Sequence, residues 1–275
     1  MKFVDDKENI LVHFIDVSHG EAVFIEASCG SNILIDGGSN QSVTGYKLNR
    51  YLTSIGVSQI DLVAATHPHE DHIGGLTEVL SVFPVGKVIS PAIDFESESY
   101  RRFLAEIKRN DITQYNPVRG DEILLDSLQI NILHPAQDRL YSNTNNFSLV
   151  MGIEHEGLAF LFTGDIEKEA ELELALQYDL SQFEILKVPH HGSNTSSHPK
   201  FLEKVDPKIA VFTVGENDFE FPSTDVVVRY DKMGIKTYRT DINGNVVMNW
   251  DGKTLEISVE RVNPSEKNLS DNEII

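Results

Sequence analysis

Residues 66–75 read THPHEDHIGG and follow directly on the apolar run IDLVAAT, residues 60–66. That run has the length and the branched, apolar character of a buried strand. His67, His69, Asp71 and His72 therefore crowd one strand end, and Gly74-Gly75 follow them. Imidazole nitrogens and carboxylate oxygens suit zinc and related divalent ions, which they bind at about 2.0–2.2 Å. Four such groups on one short turn cannot all reach a single ion. The spacing predicts two neighbouring ions, His67 and His69 facing one, Asp71 and His72 the other.

The competing reading, a polar loop with incidental histidines, is weakened by three later stretches. LFTGD (161–165) places Asp165 after a strand and a glycine, KVPHHGS (187–193) places His190 and His191 after a strand, and TNNFSLV (144–150) places Asn145 and Asn146 before one. An aspartate after glycine is, taken alone, a turn or helix cap. Beside the first cluster it reads as a carboxylate able to bridge two ions.

Around these stretches the chain alternates strands and helices. ILVHFID (10–16), EAVFIEA (21–27) and NILIDGG (32–38) read as strands, with a turn at SCGS. Residues 43–55 carry Leu48, Tyr51, Leu52 and Ile55 at helical spacing, with Gly56 as a stop. Behind the histidine loop a short helix is expected from Leu76 to Phe83, then a strand VGKVIS, then a helix capped by Ser97 and running to Asn110. The second half repeats the order: strands near 121–133, 147–154 and 157–163, a helix near 167–178, a strand at 184–189, and further strands and a helix to residue 259. Two strand-rich blocks with helices predict an α/β fold, a four-layer αββα sandwich of two mixed sheets. Residues 1–262 are expected to form one domain and 263–275 a flexible polar tail.

The chain has 275 residues, 23 Lys plus Arg against 43 Asp plus Glu, and a net charge of −20. Such a charge opposes non-specific adhesion to nucleic acid, which rests largely on phosphate neutralisation. It does not exclude phosphate chemistry in a metal-loaded pocket, where the ions are the largest local charges. Segment 186–239 is close to neutral, and an anionic substrate would cross there. No apolar run approaches the ~18–20 residues of a membrane span, and the first residues lack a signal-peptide pattern. The single cysteine, Cys29, forbids an internal disulfide and predicts a cytoplasmic home. His13, His134, His155 and His198 read as structural residues, and Asp16 as a turn aspartate.

At this point the chain resembles the metallo-β-lactamase fold superfamily, over about residues 10–250. THPHEDH looks like its HxHxDH signature and LFTGD like its bridging-aspartate motif. More narrowly, HFIDVSHGEAVFIE, ILIDGG, NNFSLV, LFTGD and KVPHHGS are similar to the nuclease-like domain of the ComEC/Rec2 DNA-uptake proteins; phosphorylcholine esterase belongs to a related branch. Without a transmembrane part, this chain would be a free-standing relative. The resemblance implies that His67 and His69 hold the first ion, Asp71 and His72 the second, and that Asp165 bridges. His191 is favoured as the further ligand and His190 as a phosphate contact or proton donor, because neighbours on an extended segment point opposite ways.

Three departures stand out. Asn145 or Asn146 occupies the place where many members carry a histidine for the first ion, and an amide oxygen is a poorer, harder ligand that favours manganese. Phe221-Pro222 stands where a His-Pro pair is usual. Ser18-His19-Gly20-Glu21 stands where Gly-Gln-Gly-Asp is usual, and His19 is a candidate to replace the missing imidazole.

These readings predict a hydrolase with two divalent ions, zinc or manganese, that activate water and stabilise developing charge. Asp71 and His190 are the expected catalytic residues, Asp36 orients the histidine loop, and Ser193 is a candidate hydrogen-bond donor to substrate. The expected substrate is a phosphodiester, either a small molecule or a single-stranded nucleic acid. Two alternatives stay open: hydrolysis of a lactam, lactone or thioester, and a catalytically inactive metal-binding module serving a protein partner.

Overall fold

The computed structural model describes residues 9–262, apart from 41, 216 and 218, and the pair Glu273–Ile274; residues 42–46 are described by their backbone. The first block runs β1 (Ile10–Phe14), β2 (Val23–Ala27), β3 (Asn32–Ile35), α1 (Ser42–Ser54), β4 (Ile60–Ala64), α2 (Glu70–Val82), β5 (Val85–Ile89), α3 (Glu98–Arg109) and β6 (Thr113–Tyr115). The second runs β7 (Glu122–Leu125), β8 (Leu128–His134), β9 (Val150–His155), β10 (Leu158–Phe162), α4 (Lys168–Gln177), β11 (Ile185–Lys187), α5 (Pro199–Val205), β12 (Ile209–Phe212), α6 (Thr224–Lys232) and β13 (Lys236–Arg239). A helical turn α7 (Thr240–Asn243) leads to β14 (Val246–Trp250), β15 (Leu255–Val259) and β16 (Glu273–Ile274).

Among the described residues the strands form two mixed sheets, ordered β16-β15-β14-β1-β2-β3-β4-β5-β6 and β13-β12-β11-β10-β9-β8-β7. Three apolar layers bind them. One, with Val12, Phe14, Ile33, Met151, Phe160 and Met248, lies between the sheets. A second, with Leu161, Leu174, Phe201 and Tyr230, joins the second sheet to α4, α5 and α6. The third, with Leu34, Leu52, Ile73, Val79 and Phe103, joins the first sheet to α1, α2 and α3. Three filled layers between four structural ones make the expected αββα sandwich. No helix among the described residues is long and apolar enough to cross a membrane.

The last strands return to the first sheet: β14 pairs antiparallel with β1, and β15 and β16 lie beyond it. Val246 and Met248 alternate into the inter-sheet core from that position. The helix expected from Leu76 begins six residues earlier at Glu70, with His69 as its N-cap. Gly74 and Gly75, poor helix formers, lie inside this helix and permit close approach. A Cβ on Gly74 would lie 2.3 Å from Asn40 N, and one on Gly75 2.0 Å from Gly37 O. The polar tail expected at 263–275 lies outside the described residues, except that Glu273–Ile274 pair with β15.

Candidate metal centre

Parallel pairing sets where the ligands emerge. β3 and β4 run parallel in one sheet and β10 and β11 in the other, so Asp36, His67, Asp165 and His191 all follow the carboxyl ends of neighbouring strands, the usual place for a site in such sheets. β9 is antiparallel to β10, which puts Asn145, just before β9, beside Asp165. His69 ends the loop after β4, and Asp71 and His72 lie in the first turn of α2.

One carboxylate oxygen, Asp165 Oδ2, lies at the centre. It is 3.1 Å from His72 Nε2, 3.4 Å from His191 Nε2 and 3.8 Å from His67 Nε2. Asp71 Oδ2 is 3.4 Å from His191 Nε2 and 3.9 Å from His72 Nε2. One donor atom from each of Asp71, His72, Asp165 and His191 falls within 4.8 Å of all the others. His67 Nε2 is 3.0 Å from His69 Nδ1, and Asn145 lies against His69. The Asn145 amide nitrogen donates to Glu167 Oε1 at 3.0 Å, while its Oδ1 is buried with no hydrogen-bond partner.

This donor set fits divalent ions. His72 Nδ1 donates to Asp36 Oδ2 and His191 Nδ1 to the Thr213 carbonyl, each at 2.7 Å. Those bonds fix both tautomers and aim the two Nε2 lone pairs at each other, 3.2 Å apart. Lone pairs and carboxylate oxygens so placed call for positive charge between them. Electrostatics agrees. Burial works against a charged His191 imidazole, yet Asp165 and Asp71 raise it to about 9. Burial likewise opposes an ionised Asp71, yet His72 and His191 hold its carboxyl far below the usual range.

Support comes from residues behind the ligands. Asp36 is fully buried and accepts from Thr66 N at 2.8 Å and Thr66 Oγ1 at 2.6 Å, besides His72. Asn146 accepts from Glu167 N through its Oδ1 at 2.9 Å and so braces Glu167. Ser193, read from sequence as a substrate contact, is buried and turned into its own loop, 3.0 Å from Thr195 Oγ1. It shapes that loop. His190 and His191 do diverge, but on a turn with φ of 49° and 52°, not on an extended segment. Both line the cavity: His191 joins the central group at 3.4 Å from Asp165 Oδ2, while His190 stands at its rim, with Nε2 3.8 Å from Asp165 Oδ2 and Nδ1 3.5 Å from Glu167 Oε1. His19 also lines the cavity, 4.0 Å from Asp71 Oδ2.

Beneath the centre lies a pair that motif reading missed. Lys187 and Glu21, both fully buried, form an ion pair. The Lys187 ammonium also donates to Gly164 O at 3.0 Å and lies 3.7 Å from Asp165 Oδ1. The available signal was a lysine inside the apolar strand EILKV, since a buried ammonium requires a partner. Gly20 brings the Glu21 loop against the ligand helix: a Cβ there would lie 1.8 Å from Asp71 O. Three of the other histidines make structural contacts. His13 Nδ1 meets Tyr51 Oη at 2.8 Å, His134 Nε2 donates to Asn146 O at 2.7 Å, and His198 caps α5. Asp16 accepts from Ser18 N at 3.0 Å, as a turn aspartate does.

A family model described as the metallo-beta-lactamase superfamily matches residues 15–215. The chain belongs to that superfamily. Its membership places the cluster in a fold family of metal-dependent hydrolases. ComE operon protein 3 of Bacillus subtilis is 29% identical over 265 residues, covering 90% of this chain and 34% of that protein. Recombination protein 2 of Haemophilus influenzae is 28% identical over 254 residues, covering 91% and 30%. The ComEC/Rec2 resemblance thus extends over most of the chain, which spans about a third of the length of these curated relatives. Among solved structures, the metallo-beta-lactamase fold protein YhfI of Bacillus subtilis superimposes with a TM-score of 0.59 at 10% identity, covering 89% of this chain and 100% of that one. That likeness concerns the fold.

Proposed function

We propose that this protein is a phosphodiester hydrolase dependent on two divalent ions, zinc or manganese, and that it works in the cytoplasm on a small phosphodiester or a short single strand. The observation that carries the reading is the position of Asp165 Oδ2, within 3.8 Å of imidazoles from both ligand groups. His67, His69 and Asn145 would hold one ion and Asp71, His72 and His191 the other, with Asp165 shared. Bound ions supply a lowered water pKa and neutralise charge on phosphoryl oxygens. A relative named for recombination supports a nucleic-acid-type ester, and the charge of −20 supports a short one.

The chain's own residues then do the positioning. Asp71 is ionised and partly open to the cleft, which suits it to orient the attacking water by accepting its hydrogen bond. Burial keeps the His190 imidazole below its ordinary value, so it is neutral near pH 7 and contacts a phosphoryl or leaving-group oxygen through a ring N–H. Phe221 packs edge-on against His190 at 5.4 Å between ring centres and shields that side of the cleft from water.

The test is hydrolysis of bis(p-nitrophenyl) phosphate by metal-stripped protein resupplied with zinc, manganese or magnesium. Turnover restored by zinc or manganese and lost in Asp71→Ala and His191→Ala is the expected result. Turnover that survives Asp71→Ala would overturn the assignment. Faster cleavage of a lactam or lactone would move the reaction to another bond. A metal-raised melting temperature with no turnover of any ester or lactam would make the protein a binding module.

A further inference from the structure

The loop after β12 is folded around one side chain. Asn217 Nδ2 donates to the Gly215 carbonyl at 2.8 Å and the Phe221 carbonyl at 3.0 Å, and its Oδ1 accepts from Phe219 N at 3.0 Å and Phe221 N at 2.9 Å. The loop is anchored at its root, where a Cβ on Gly215 would lie 1.3 Å from Ser18 O. So braced, it presents two phenyl rings to the cavity beside the metal-ligand group. Phe221 is half-buried, but Phe219 is 66% exposed.

A lone exposed aromatic ring is common and means little. Here the rings form a series. His19 and Phe219 are 6.3 Å apart between centres at 24°, Phe219 and Phe221 5.6 Å at 21°, and Phe221 and His191 6.4 Å at 25°. Nearly parallel planes thus step from the solvent edge to a residue of the ligand group. The cavity they line holds about 380 Å³, within the range of small-ligand sites. Its described lining includes Glu70, Asp71 and Asp165 but no lysine or arginine. A polyanion held by its phosphates needs cations along its path, and this cleft offers rings in their place. A quaternary ammonium would be enclosed by aromatic faces set at different angles, whereas parallel rings offer a shelf for a flat partner.

We propose that Phe219 and Phe221 form a base-stacking subsite, so that the preferred substrate is a nucleoside phosphodiester held by its ring beside the ligand group; this rests on the phosphodiesterase reading above. Asn217 is a positioning residue for that shelf. Stacking of one base on an aromatic side chain contributes roughly 5- to 150-fold in affinity and tolerates every base.

The experiment compares kcat/KM for thymidine 5′-(p-nitrophenyl phosphate) with that for methyl p-nitrophenyl phosphate on zinc- or manganese-loaded protein. The leaving group is common to both, so the ratio reads the nucleoside alone. The expected ratio is about tenfold or more in the wild type, falling towards one in Phe219→Ala and Phe219→Leu and retained in Phe219→Trp. A wild-type ratio near one, or a ratio unchanged by Phe219→Ala, would overturn the subsite. So would a preference for p-nitrophenyl phosphorylcholine over the thymidine ester. If neither ester is cleaved, the phosphodiesterase reading falls, and calorimetry with thymidine 5′-monophosphate decides the shelf: tighter binding to wild type than to Phe219→Ala supports it, and equal affinity overturns it.

Discussion

The two sides of the metal centre are built to different standards. On the side of Asp71, His72 and His191, both imidazoles are anchored through Nδ1, one by a buried carboxylate and one by a backbone carbonyl. On the side of His67 and His69, His67 Nδ1 meets a threonine hydroxyl at 3.1 Å, and the third candidate donor is the buried, unpartnered Oδ1 of Asn145. An ion gains most from ligands that are already aimed and deprotonated. By that anchoring the first side would hold an ion more firmly than the second, so that an HxHxDH motif would supply two unequal sites.

Removing what the sides share has the largest expected effect. Asp165→Ala takes the central oxygen from both, and its several kcal/mol of charge stabilisation correspond to a loss of about 10³-fold or more in kcat. Retention of activity, measured with the nitrophenyl ester, would show that the sides act separately. Next is the support beneath them. Lys187→Met leaves Glu21 buried without its partner and costs about 3–5 kcal/mol of stability in denaturant titration, most of it recovered by adding Glu21→Met. If the single and double variants are equally unstable, the ion pair is not what holds the floor.

Acid separates site histidines from core ones. Burial pushes His13 and His134 down to about 4, whereas His191 is held up to about 9. Between pH ~6.5 and ~4 the unfolded chain takes protons that folded His13 and His134 refuse, so native stability is full above that window and falls as pH drops through it. Each contributes on the order of 3 kcal/mol. Melting of metal-free His13→Phe across that window should show a shallower slope than the wild type; equal slopes would refute the assignment for His13.

Two smaller changes address the asymmetry itself. Asp36→Asn should weaken the ion at Asp71/His72/His191 by about 10–100-fold while sparing the other. Asn145→His should tighten the ion at His67/His69 by about tenfold, since imidazole suits zinc better than an amide oxygen does. Calorimetric metal titration reads both, and two equal binding steps in the wild type would dissolve the comparison.

The candidate ligands were legible because motif chemistry and strand ends coincide in THPHEDH, LFTGD and KVPHHGS. The layered fold was legible from alternating strands and helices. What escaped depended on tertiary contact. The helix start at Glu70 was missed because local propensity cannot register the backbone of residues 37–40 pressing on Gly74 and Gly75. The sheet joined by β14 was hidden because pairing with β1 spans most of the chain. Lys187 and Glu21 looked like ordinary charges, since only the closed sandwich buries them against each other, with Asp165 beside the lysine. The aromatic shelf required the Asn217 loop to be folded before its rings could be seen in line.

The return of β14 to β1 has a consequence for synthesis. During translation every ligand, His191 included, emerges before Val246. Until β14 arrives, β1 offers a row of unpaired backbone donors and acceptors. Such raw edges are where growing chains pair with one another. Pairing by the last strands therefore covers the edge on which the first strand would otherwise meet another copy of the chain.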